Sequence, residues 1–180
     1  MEHRMILAGF GGQGVLSLGQ LIAHAAIREN KNTTWFPAYG PEMRGGTCNC
    51  SVVVSDKRVA SPMVNTPTIA IVMNKPALNK FEPKMKSGGV MIINSSLTSD
   101  KVTRTDITAI YIKMAEAAVE AGDKSNDAKS SNMVALGALI KHSGLFSADL
   151  MKTVIREKFK SKPEAAETNI RALEIGMKSC

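Results

Sequence analysis

Apolar and polar positions along this chain switch between two periods. Apolar residues from Met5 to Ala8, closed by glycine, predict a short buried strand over residues 4–9. Over residues 13–29 the period becomes helical. Val15, Leu18, Ile22 and Ala25 share one face, while Ser17, Gln20, His24 and Arg28 fall toward the other. A polar turn at residues 30–32 leads to a second strand at 33–36. Residues 47–55 alternate and are β-branched, so they predict a strand. Asp56 and Lys57 then predict a tight turn, and residues 58–60 a return strand. Further strands are expected at 68–73, 90–93 and 108–112, with helices at 77–85 and 114–121. Residues 133–140 are apolar all round, which predicts a buried helix with Asn132 or Ser131 as its N-cap. Ser147 is placed to cap a helix over 148–160, and Pro163 to open a last one running to about residue 178.

This alternation predicts an α/β fold: a doubly wound, mostly parallel sheet with helices on both faces, an inserted β-hairpin near residues 47–60 and a helical C-terminal third. With 180 residues the chain is expected to form one domain, residues 1–180. The net charge of +7 suits anionic ligands or acidic partners. Nucleic acid is not expected, because no binding motif or aromatic platform accompanies the charge. No apolar run reaches the ~20 residues needed to span a bilayer, and Glu2, His3 and Arg4 lead straight into a strand without a signal pattern. A cytoplasmic, membrane-free protein is the expectation. Cys48, Cys50 and Cys180 are an odd set of three, which argues for reduced thiols. Cys48 and Cys50 point to one strand face and read as core thiols. A metal or Fe–S site of the chain's own would need about four ligands, and no other Cys or His cluster supplies them.

Two loops carry the candidate chemistry. Gly9, Gly11 and Gly14 fall on the G-x-G-x-x-G spacing, with Gly12 and Gln13 between them. Between a strand and a helix, such a loop aims backbone N–H groups at an anion. A nicotinamide site also wants an acid at the end of the second strand, and Thr34-Trp35-Phe36-Pro37-Ala38 has none. A stand-alone NAD(P)-binding reductase is therefore the secondary reading. The second loop holds Tyr39, Gly40, Pro41, Glu42, Met43, Arg44, Gly45 and Gly46. If strands one and two are neighbours, the two loops share the carboxyl edge of the sheet. Arg44 would then anchor a phosphate or carboxylate, Glu42 would orient it, and Gly45 and Gly46 would admit backbone donors. The bland alternative is a surface connection in which Glu42 and Arg44 pair with each other. His3, His24 and His142 lie near no nucleophile in sequence, so no catalytic residue is assigned.

Several stretches together resemble one family. Gly9-Phe10-Gly11-Gly12-Gln13-Gly14-Val15 is similar to the G-x-G-G-Q-G-V opening of the gamma subunit of 2-oxoacid:ferredoxin oxidoreductases, which include pyruvate, 2-oxoglutarate and 2-ketoisovalerate types. Tyr39 to Gly46 resembles that family's Y-G-x-E-x-R-G-G loop. Cys48-Asn49-Cys50-Ser51-Val52 follows as its small polar strand does. Asn132 to Leu139 resembles its buried helix, and Asn169 to Gly176 its closing N-x-x-A-x-x-x-G. The chain departs from the pattern at residues 122–131, which are polar. The resemblance implies a subunit that helps bind coenzyme A, a co-substrate, and covers a thiamine diphosphate site. Thiamine diphosphate, Mg and the Fe–S clusters would sit on alpha, beta and in some cases delta subunits, and ferredoxin would accept the electrons. Gly9, Gly11, Gly12, Gln13, Gly14, Tyr39, Glu42, Arg44, Gly45 and Gly46 would face the ligand or a partner subunit. A purely structural subunit and a homodimer of the isolated chain stay open.

Overall fold

The computed structural model describes residues 1–39 and 46–179, with only the backbone of Tyr39. Its sheet has six strands in the order β2-β3-β1-β4-β5-β6. The strands are β1 (Glu2–Phe10), β2 (Asn32–Tyr39), β3 (Thr47–Ser55), β4 (Ile69–Val72), β5 (Val90–Asn94) and β6 (Thr108–Ile112). The helices are α1 (Val15–Arg28), α2 (Lys75–Phe81), α3 (Met114–Glu120), α4 (Ser131–Ser143), α5 (Ala148–Lys158) and α6 (Pro163–Lys178). A single 3-10 turn at Glu82–Lys84 extends α2.

Strands β1, β4, β5 and β6 run parallel, and the short all-apolar β4 (Ile69-Ala70-Ile71-Val72) is buried throughout, as a central parallel strand should be. The hairpin differs from the expected one. It consists of β2 and β3, paired from Asn32↔Ser55 to Tyr39↔Cys48, and residues 58–60 form no strand. Strand β3 then lies antiparallel between β2 and β1, so the first two strands are not neighbours. The reason is local. Ser55 Oγ accepts from Lys57 N at 3.1 Å, and Asp56 pairs with the N-terminal ammonium, so the chain leaves the sheet there.

The two faces are covered unequally. Met5, Leu7, Cys50, Val52, Ile71 and Ile92 pack under α1 and the C-terminal helices. Among the described residues, Ile6, Ala8, Val53, Val72 and Ile93 cluster with α2 and with irregular segments around Val64 and Met85. Ten consecutive residues of α4, Ser131 to Ile140, are buried, which explains its lack of a polar face. Close approach between α4 and α6 makes this possible. A Cβ on Gly137 would run into the Leu173 carbonyl oxygen, and one on Gly176 into that of Val134. Helix α5 is capped as expected, with Ser147 Oγ accepting from Leu150 N at 3.2 Å. Helix α4 is not: its N-cap is Ser130, and neither Asn132 nor Ser131 caps it.

Candidate functional site

Strand β1 ends at the glycine loop, and glycine chemistry shapes the turn. Gly14, the N-cap of α1, has φ 74°, a left-handed conformation that glycine adopts without steric cost. Gly9 lets Gln13 fold back on the strand: an added Cβ would stand 2.5 Å from Gln13 Oε1 and 2.9 Å from Met73 Cβ. Gln13 Oε1 accepts from Phe10 N at 2.7 Å and from Asn74 Nδ2 at 3.2 Å. Its Nε2 donates to the Met73 carbonyl at 3.5 Å, which also accepts from Asn94 Nδ2 at 3.5 Å.

Between β1 and β4 the chain changes direction of growth across the sheet, the crevice where α/β folds ordinarily hold a ligand. Here the amides of Gln13, Asn74 and Asn94 close it. Asn74 and Asn94 are buried; Asn94 ends β5, and Asn74 lies two residues beyond the end of β4. Asn74 also caps α2, accepting from Ala77 N at 2.9 Å. Sequence reasoning singled out Gln13 but missed the two asparagines. A buried Asn directly after an apolar strand was the available signal.

The described end of the second loop, Gly46, touches the first. Gly11 N donates to the Gly46 carbonyl at 3.0 Å. Strands β1 and β2 are both antiparallel to β3, so both end at the same sheet edge although β3 separates them. Gly9 is buried, Gly11, Gln13, Gly14 and Gly46 are half-buried, and Gly12 is exposed. Glu42, Arg44 and Gly45 lie outside the described residues, as does the side chain of Tyr39.

On the helical side of the glycine loop opens a cleft of about 960 Å³. Gly12, Gly14 and Ser17 form one wall, residues 122–130 a second, and the first turn of α6 a third. Asn132 ties the walls together by donating from Nδ2 to the Gly14 carbonyl at 3.2 Å. Asp123 holds the second wall, accepting from Ser125 N at 2.9 Å and Ser130 N at 2.6 Å. Burial works to raise its pKa, but the bonds from Ser125 and Ser130 outweigh it, and the carboxyl lies below its ordinary value.

Cys48 and Cys50 are core groups. Cys50 is fully buried, its Sγ donates to the Val15 carbonyl at 3.5 Å, and burial pushes its pKa up to about 12. The buried Cys48 thiol is also raised by burial. Neither is a ready thiolate. A nicotinamide site fares no better. Its ribose-binding acid belongs at the end of the strand that follows the first helix and lies parallel beside β1; here that strand, β2, is separated from β1 by antiparallel β3.

Against known proteins, the profile of the pyruvate ferredoxin/flavodoxin oxidoreductase family matches residues 4–179. The chain belongs to this family. It is 40% identical over 177 residues to a ketoisovalerate oxidoreductase subunit VorA of Methanothermobacter marburgensis, covering 97% of this chain and 36% of that protein. It therefore spans about a third of that relative. It is 32% identical to a 2-oxoglutarate synthase subunit KorC of Methanocaldococcus jannaschii, covering 98% of this chain and 92% of that one. Among solved structures it resembles a 2-oxoglutarate:ferredoxin oxidoreductase from Magnetococcus marinus. The TM-score is 0.86 at 26% identity, over 98% of this chain and 30% of that one. It also resembles the keto/oxoacid ferredoxin oxidoreductase gamma subunit of Geobacter sulfurreducens, with TM-score 0.80 at 26% identity over 98% and 97% of the two chains. The α/β fold with its mixed six-stranded sheet and helix-rich C-terminal half is thus the fold of this family. Among the described residues no helix is long and apolar enough to cross a membrane.

Proposed function

We propose that this chain, acting as one domain, is the gamma-type subunit of a multisubunit 2-oxoacid:ferredoxin oxidoreductase. Such an enzyme oxidatively decarboxylates a 2-oxoacid, joins the acyl group to coenzyme A and passes the electrons to ferredoxin. The observation that carries this reading is the alignment of 98% of the chain with part of a 2-oxoglutarate:ferredoxin oxidoreductase whose structure holds 2-oxoglutarate, coenzyme A and succinyl-CoA. The chain's own chemistry is consistent with a supporting subunit. Cys48 and Cys50 are sealed in the core, and a cluster needs about four thiolates. Thiamine diphosphate, Mg and the Fe–S clusters therefore belong to alpha, beta or delta partners. This chain contributes donors at the carboxyl edge of its sheet: the glycine-loop amides and, from the adjoining loop, Arg44. The working place of such an assembly is the cytoplasm.

The test is to reconstitute the complex with and without this chain and to follow 2-oxoacid-dependent ferredoxin reduction as coenzyme A is varied. Loss of coenzyme A dependence without the chain supports the reading. An unchanged KM for coenzyme A assigns the chain a purely structural part.

A further inference from the structure

The 960 Å³ cleft has three unusual properties that converge. The first concerns helix ends. Helices α2 and α5 carry side-chain caps, and the first turn of α3 is served by Ser96, whose Oγ accepts from Ala115 N. Helices α1, α4 and α6 have no side-chain cap, and the first turns of all three line the cleft. Each helix start carries the positive end of its dipole, and α1 and α6 add first-turn N–H groups without an intrahelical acceptor; at α4 the Ser131 and Met133 N–H groups are already taken by the Ala128 and Ser130 carbonyls.

The second is Asn169. It is 8% exposed and lines the cleft, and its side-chain amide makes no hydrogen bond among the described residues. Most of the residue is buried, while its amide atoms are not among the sealed ones and stay open to a ligand in the cleft. The third is charge. Lys124, Lys129 and Lys162 edge the cleft, and none makes an ion pair among the described residues. Of the lining carboxylates, Asp123 is turned onto Ser125 and Ser130, and Glu167 is held by Arg156 at 2.9 Å, which leaves Glu164.

We propose that this cleft is a phosphoryl-binding site: it takes the phosphate or pyrophosphate of a larger organic molecule, with Asn169 and the α1 and α6 amides as donors and Lys124, Lys129 and Lys162 as counter-charges. Its volume far exceeds one phosphate and lies within the range of small-molecule sites. Half-buried Phe159 and buried Met133 supply an apolar wall for the remainder of the ligand. Identifying that ligand as coenzyme A rests on the function proposed above; the phosphoryl site itself does not.

The full-length chain is titrated separately with sodium pyrophosphate, adenosine 3′,5′-bisphosphate and coenzyme A, by calorimetry and phosphorus NMR. Pyrophosphate is expected to bind, and added NaCl to weaken it. The Lys124→Ala/Lys129→Ala variant, altered at two exposed positions, should bind about tenfold more weakly. Asn169→Asp, nearly isosteric but anionic, should bind more weakly still, with its fold checked by circular dichroism. Tighter binding of coenzyme A than of pyrophosphate, with the same loss in both variants, supports the site and its link to the proposed function. Binding of pyrophosphate without coenzyme A supports the site and removes that link. No binding of any probe at 10-fold the concentration range expected for a weak millimolar site, or unchanged binding by both variants, overturns the proposal.

Discussion

Gly11 donates its backbone N–H to the carbonyl of Gly46 at 3.0 Å. That single bond joins the two glycine-rich stretches of the chain, the turn after β1 and the far end of the β2–β3 connection. It also ties the exposed rim to the most buried part of the sheet, because the same turn is anchored below by Gln13.

Gln13 makes the first prediction. In Gln13→Leu the Phe10 N–H and the Asn74 amide both lose their acceptor, while the side-chain volume is nearly kept. Stability should fall by about 1–3 kcal/mol. A urea titration followed by circular dichroism measures it. A midpoint equal to the parent's would mean that water replaces the amide without cost.

The crossing of α4 and α6 makes the second. Gly137→Ala puts a methyl group 2.8 Å from Met177 N and against the Leu173 carbonyl, all of it backbone that cannot swing aside. The expected loss is about 3 kcal/mol or more. Gly144→Ala is a useful contrast, since no atom lies within 4 Å of its added Cβ and only its φ of +60° opposes the change. It should cost about 1–2 kcal/mol, visible as a smaller fall in melting temperature.

A third prediction concerns acid. Glu82 is buried, and its Oε1 accepts from Thr103 N at 2.6 Å, Thr103 Oγ1 at 2.7 Å and Arg104 N at 3.0 Å. Burial works to raise its pKa, but these bonds and the Arg104 charge prevail, so the carboxyl lies below its ordinary value. A depressed folded-state pKa contributes stability above the unfolded value. That contribution fades as pH falls through the ordinary glutamate range near ~4.3 toward the lower folded value. Denaturant midpoints from pH 7 to pH 3 should therefore drop less steeply in Glu82→Gln, which is less stable than the parent at pH 7. Parallel pH profiles would show that Glu82 carries none of the acid sensitivity.

Arg44 makes the fourth, on grounds of sequence. If it serves as an anion anchor, Arg44→Ala in the reconstituted complex should lower 2-oxoacid-dependent ferredoxin reduction by about tenfold or more with the melting temperature unchanged. Equal activity would leave the Glu42–Arg44 pair as surface chemistry.

How far the chain was readable follows from these residues. Buried strands such as residues 69–72 and the all-apolar α4 announce themselves, because burial on every side leaves no other pattern. The glycine loop was legible for the same kind of reason: its backbone geometry demands glycine at Gly14. The hairpin was misplaced because Asp56-Lys57 looks like a two-residue turn, whereas the true connection is long and full of proline and glycine, as a loop before a helix also is. Pairing between strands is a tertiary choice that alternation does not encode. Even so, β1 and β2 end at the same sheet edge, since two strands antiparallel to a common neighbour are parallel to each other; most of the second loop lies outside the described residues. Asn132 was misread for a different reason. Its side chain suits an N-cap, but its amide reaches across to the Gly14 carbonyl, a partner 118 residues away. Asn169 stood in a recognised pattern, yet only the fold reveals that it lines a cleft with no hydrogen-bond partner for its amide among the described residues.

The central claim is that this chain works as one subunit of a larger 2-oxoacid:ferredoxin oxidoreductase. The most direct measurement is to purify the tagged full-length chain from its native cells, identify what accompanies it, and record absorbance and coenzyme A-dependent ferredoxin reduction. The account predicts a brown complex that contains thiamine diphosphate and reduces ferredoxin with a 2-oxoacid and coenzyme A. A colourless chain that purifies alone and binds NADH or NADPH with micromolar affinity would contradict it.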